Sequence, residues 1–113
     1  MKRATDFEKF QRYFKEYQRL FGLMDYKIYF KHESLDGCFA DITVEQADMV
    51  GTVRFNSTPD KQYLNVRGSA KHEAIHLLLW RLEDRASSRY IQAKELYETV
   101  EGLVRKLEAL IDK

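Results

Sequence analysis

The 113-residue chain carries 19 lysines and arginines against 18 aspartates and glutamates, a net charge of +1. That balance supplies no general field for attracting nucleic acid or an anionic membrane. Hydrophobic residues at 44% and aromatics at 13% are enough for a packed core and too many for a disordered chain.

The length suits one compact domain over residues 1–113. A lone cysteine, Cys38, leaves no internal disulfide to form. The first residues are charged, with no apolar run behind them to make a signal peptide. The longest apolar run, residues 77–80, is far shorter than the roughly 20 residues a bilayer span needs. The expectation is a cytoplasmic protein with no nucleic-acid or membrane partner.

Along residues 6–21, Phe7, Phe10, Phe14, Tyr17, Leu20 and Phe21 fall at helical spacing, with Thr5 or Asp6 as the N-cap and Gly22 as the stop. Residues 26–30 alternate Tyr26, Ile28 and Phe30 with Lys27, the pattern of a half-buried strand. Residues 39–44 and 49–55 read as two further strands around a polar turn, giving an antiparallel meander or hairpin. Residues 56–60 break the sheet, and Thr58 before the only proline, Pro59, offers a helix start. Residues 70–82 are helical and apolar on most sides, which places this helix inside the domain. Its start lies near Pro59 or near Ser69, because Gly68 interrupts the pattern. Residues 83–88 read as a polar connection, and a last helix over residues 90–111 carries Leu96, Val100, Leu103, Val104, Leu107 and Ile111 on one face. The order of helix, three strands, buried helix and closing helix is that of an α+β domain.

The buried helix contains His72-Glu73-Ala74-Ile75-His76, a His-Glu-x-x-His motif. Residues four apart project from one helix face, so both imidazoles reach a single Zn²⁺ at about 2.0–2.1 Å. Glu73, one step round the helix, stands beside the metal as general base toward a metal-activated water. A catalytic zinc takes three protein ligands and keeps one position open. The extended motif with a third histidine is absent, since Leu79 and Leu82 occupy its glycine and histidine places. Asp84, Glu95, Glu98, Glu101 and Glu108 are the downstream candidates. With Val100 centring the apolar face, Glu101 lies about 100° away on its border, whereas Glu98 and Glu95 lie about 160° and 140° away, toward solvent. Glu108 shares the flank of Glu101 two turns nearer the chain end. Glu101 is therefore the preferred third ligand.

The residues 72–79 together with Val100-Glu101-Gly102-Leu103-Val104-Arg105-Lys106-Leu107-Glu108 resemble the minimal zincin-like metallopeptidases of phages and prophages. These are of the gluzincin type, in which a glutamate on a later helix completes the HExxH site. Val100 stands where that family often has a second acidic residue, which keeps Glu98 as an alternative ligand. The resemblance implies a zincin-like α+β fold with a small, mostly antiparallel three-stranded sheet, a zinc cofactor, and hydrolysis of a peptide or protein substrate. It also implies an edge strand between residues 39 and 55 that pairs with extended substrate. Similar metallopeptidases use a Tyr, His or Arg at the oxyanion; Tyr97 is the candidate here, ahead of Tyr90 and His32. Cys38 and His32 have no partner at ligand spacing and read as structural or surface residues. Two other readings stand beside the peptidase: a zinc-binding phage or prophage regulatory or interaction protein without turnover, and an interaction protein in which the motif is incidental and no zinc is held.

Overall fold

A computed structural model describes residues 3–59, 63–87 and 93–111. The elements run α1 (Asp6–Leu20), β1 (Lys27–Glu33), β2 (Ala40–Glu45), β3 (Val50–Asn56), α2 (Val66–Ser87) and α3 (Ala93–Leu110). The α+β expectation holds.

Thr5 caps α1, its Oγ1 accepting the Glu8 N–H at 3.1 Å. Gly22 ends the helix at φ 72°, a left-handed turn that glycine enters without strain. Phe10, Phe14 and Tyr17 of the expected stripe are fully buried. They meet Ala40, Val44, Val53 and Phe55 of the sheet and Ala70, Ala74 and Leu77 of α2 in one core. The buried Gln18 closes the joint to β1, donating from Nε2 to Leu23 O at 2.9 Å and Tyr26 O at 3.1 Å.

The sheet differs from the expected antiparallel arrangement. Its order is β1-β3-β2, and β1 runs parallel to β3 while β2 runs antiparallel to it. Only the β2–β3 hairpin is as expected. Side-chain alternation reports which face of a strand is buried and carries no information about its neighbours. What places β2 beyond β3 is the crossing segment before it, and that segment is pinned by Asn56. The Asn56 Nδ2 donates to Leu35 O (3.0 Å) and Cys38 O (2.9 Å), while its Oδ1 accepts from the N–H groups of Leu35 (3.2 Å) and Thr58 (2.9 Å). A residue that reads as a sheet breaker is thus the fastening of the crossover. Replacing Asn56 with alanine strips the partners from buried backbone groups and is expected to cost about 2–4 kcal/mol. Thermal unfolding measures this; a loss under about 1 kcal/mol would show that water replaces the amide at no penalty.

Helix α2 begins at Val66, between the two expected starts. Asn65 caps it, with Oδ1 accepting the Gly68 N–H at 2.9 Å. The glycine that interrupts the helical pattern makes room for this cap, because a Cβ at residue 68 would lie 2.7 Å from Asn65 Nδ2. Thr58, the expected start, instead turns back on Asn56. The helix also continues through the stretch expected to be a connection, since residues 83–87 contain no glycine or proline to stop it. Nor is α2 buried all round. Ala70, Ala74, Ile75 and Leu77 are enclosed, whereas Leu78 is exposed and Leu82 is 60% exposed, because a domain this small covers only part of a helix. Helix α3 lies on α2 through Val100, Val104 and Ile75, a second buried cluster. Among the described residues no helix is long and apolar enough to cross a membrane.

Candidate metal centre

The packing of Val100 and Val104 against Ile75 sets the rotation of α3 about its axis. Glu101, next to Val100, is turned toward the flank of α2 that carries both histidines. His76 Nε2 lies 2.7 Å from Glu101 Oε1, His72 Nε2 lies 3.8 Å from Glu101 Oε2, and the two Nε2 atoms are 3.2 Å apart. His72, His76 and Glu101 thus offer three donor atoms, all within 4.8 Å of one another and partly buried, a set that can hold a metal ion. Glu95, Glu98 and Asp84 are exposed and lie outside this group. The helical-angle reading separated Glu101 from Glu98 and Glu95 on the right side of the helix.

Glu108 takes a different position from the ligand one considered for it. Its Oε1 accepts a hydrogen bond from His72 Nδ1–H at 2.7 Å, on the side of the ring away from Glu101. A proton fixed on Nδ1 leaves the Nε2 lone pair facing the cluster, and a carboxylate in this place raises the basicity of the ring. Next to His72, Lys71 Nζ donates to the Glu108 carbonyl at 3.1 Å and the Ile111 carbonyl at 3.0 Å, closing the end of α3. The one sequence signal for Glu108 was its spacing of seven from Glu101, two helical turns along the same flank. Glu108→Ala is expected to weaken metal affinity by about 10–100-fold, with Glu108→Gln intermediate because its amide oxygen still accepts from Nδ1–H. Competition with a chromogenic chelator reads this; affinity unchanged in the alanine variant would remove Glu108 from the site.

Glu73 is 6% exposed. Burial above all, then the charges of Asp41, Glu101 and Glu108, hold its carboxyl well above the ordinary range. Burial likewise lowers the pKa of His76, assisted by His72 and opposed by Glu101, and so favours the neutral imidazole that binds metals.

Two cavities flank this cluster. One, of about 360 Å³, reaches from Cys38, Phe39 and Ala40 to Ser69, His72 and Glu73. The other, of about 330 Å³, runs between Ala40, Asp41 and Ile42 and the row His72, His76, Glu101. They share Cys38, Ala40, His72 and Glu73, and together form a groove along β2. The strand left open by the sequence is therefore β2, an edge of the sheet. Since Asn56 N–H donates to Phe39 O, ladder alternation directs the backbone groups of Ala40, Ile42 and Val44 to the edge left unpaired among the described residues.

Against protein-family models, curated proteins and solved structures, the chain has no match. Function is therefore read from the geometry.

Tyr97 lines the second cavity and is 60% exposed. His32 is remote from the cluster, stacked on Phe7 at 4.6 Å between ring centroids and near Phe55, a packing role. Tyr90 lies outside the described residues. Cys38 is an exposed free thiol at the junction of the two cavities, its pKa raised first by burial and then by Asp41 and Glu73. Asp41 is a site residue that the motif did not reveal. It comes from β2, is held by Arg54, and adds its charge to the field at Glu73.

Proposed function

We propose that this chain is a zinc-dependent metallopeptidase of the gluzincin type, with His72, His76 and Glu101 as metal ligands and Glu73 as general base. The observation that carries the reading is the convergence of two imidazole nitrogens and one carboxylate beside a buried glutamate, in a groove walled by a strand edge that no described residue pairs. The spacing fits zinc. Two nitrogens each bound to one tetrahedral zinc lie about 3.3 Å apart, against 3.2 Å between the two histidine Nε2 atoms. Two neutral imidazoles and one carboxylate leave the fourth position open, as a catalytic site requires.

When bound, zinc supplies Lewis acidity toward the scissile carbonyl and lowers the pKa of the attacking water. The protein's own groups do the rest. Backbone groups of Ala40 and Ile42 hydrogen-bond an extended substrate as an added strand and hold its carbonyl over the cluster. Glu73 takes a proton from the water on a carboxylate oxygen as the new C–O bond forms. It returns that proton to the amide nitrogen as the C–N bond breaks, so one water is consumed per peptide bond. A carboxylate in a dry pocket is a stronger base than a solvated one, which suits it to this exchange near neutral pH. The hydroxyl of Tyr97, a residue on the lining of the cavity at the cluster, is the candidate donor to the developing oxyanion.

Elemental analysis of the native protein and of His72→Ala and Glu101→Ala tests the centre. The expected result is one zinc per native chain and loss of it in both variants. A native protein that holds no metal after reconstitution would overturn the reading and leave an interaction domain with an incidental motif. Bound zinc without cleavage of any peptide would instead favour a zinc-stabilised regulatory protein.

A further inference from the structure

The groove widens at one end. Beyond the His76–Glu101 contact it opens into a third cavity of about 510 Å³ between the second half of α2 and the start of α3. Trp80, Glu83 and Tyr97 line both this cavity and the one at the metal cluster, so the two adjoin. The walls are apolar, from Trp80, Leu96 and the Tyr97 ring. Glu83 brings a carboxylate to the same lining. Glu83 Oε2 is buried and accepts no hydrogen bond from any described residue. The neighbouring acids are engaged, Asp41 by Arg54 and Glu101 by His76. Lys94, also on the lining, is exposed at the start of α3.

A mainly apolar cavity with a carboxylate on its lining, one oxygen of which no described residue partners, suits a side chain with a long apolar stem and a cationic tip. An aliphatic side chain there would leave the carboxylate buried and unpaired, and an acidic one would be repelled. A lysine or arginine lays its methylenes on the aromatic rings, brings its cation near their faces, and donates to the carboxylate. The reach is suitable. Glu83 follows His76 by seven residues, about 10 Å of helix rise. An extended peptide advances about 3.3 Å per residue, so a long side chain one or two positions from the scissile bond covers the distance.

We propose that this cavity is a specificity pocket for a lysine or arginine side chain of the substrate, with Glu83 receiving the cation and Trp80 and Tyr97 flanking the stem. The proposal rests on the reading of the groove as a substrate cleft. It makes Glu83 a specificity-determining residue that takes no part in bond breaking.

Trp80 is the only tryptophan of the chain, so its emission reports on this pocket without any need for turnover. The experiment titrates the zinc-loaded full chain with short alanine-rich peptides carrying one arginine, and with counterparts carrying the neutral isostere citrulline or a glutamate. The expected result is a saturable change in Trp80 emission, with the arginine peptide bound about tenfold or more tighter than the citrulline one. Glu83→Gln, isosteric and free of charge, brings the two affinities together, and Glu83→Lys favours the glutamate peptide. Equal affinity for arginine and citrulline, no saturable binding of either, or a preference that survives Glu83→Gln would overturn the proposal. Cleavage of the same peptides is followed separately by mass spectrometry. Charge-selective binding without cleavage supports the pocket and removes the hydrolytic reading; cleavage without charge selectivity does the reverse.

Discussion

Under the proposed hydrolytic function, replacing Glu73 with glutamine is expected to lower kcat by about 10²–10⁴-fold and to leave the content of the proposed metal unchanged. The substitution preserves shape and burial and removes only the ability to carry a proton. None of the donor atoms of the cluster belongs to residue 73, so metal content should equal that of the native chain. This combination separates a catalytic carboxylate from a structural one. Glu73 is 6% exposed and its charge is opposed by burial and by three neighbouring carboxylates, an arrangement that costs stability and is retained in proteins where function needs it. Peptide hydrolysis at saturating substrate, with metal content measured on the same samples, checks both halves. A variant that keeps its metal and cleaves at the native rate would remove Glu73 from the mechanism.

The second large effect concerns the proposed metal as a link between helices. An ion that joins α2 to α3 and binds only the folded chain stabilises it by about 4 kcal/mol when free metal stands at about a thousand times its dissociation constant. Chelation should remove that stabilisation and expose the cost of Glu73. Its pKa in the folded, metal-free chain is raised above the ordinary 4.5, so the folded state binds the proton more tightly than the unfolded state. The stability this gives is fully present below the unfolded pKa and is lost as pH rises through the folded one. Metal-free native protein should therefore melt progressively earlier as pH rises above the ordinary carboxylate range. Metal-free Glu73→Gln should not share that decline, and should be the more stable of the two at the higher pH. Parallel melting curves for the two proteins as pH rises would show that the buried carboxylate is not the source of the loss.

Much of this centre could be read from the chain, and the failures have physical causes. Helix α1, the three strand positions and the HExxH helix were legible because each depends on local periodicity: Phe10, Phe14 and Tyr17 at helical spacing, Tyr26, Ile28 and Phe30 in alternation. Glu101 was legible because its angle from Val100 is fixed within one helix. The order of the strands was not, because it depends on the long-range contact of Asn56 with the crossing segment, which no periodicity encodes. The end of α2 was misplaced because residues 83–87 are polar, and polarity marks exposure whether the backbone is helix or loop. The position of Glu108 behind His72 needed the distance between two helices. So did the cavity at Glu83, whose walls come from residues on both.

Lys71 and His72 are consecutive, and both hold Glu108, one by its carbonyl and the other by its carboxylate. Gripped by main chain and side chain at once, the last turns of α3 cannot swivel about their own axis. Glu101 sits about 10 Å up the same rod, so its aim at His76 is held twice, by the packing of Val100 and Val104 on Ile75 and by an anchorage it does not touch. An event that frees the end of α3 would leave the rotation of Glu101 to the packing of Val100 and Val104 on Ile75.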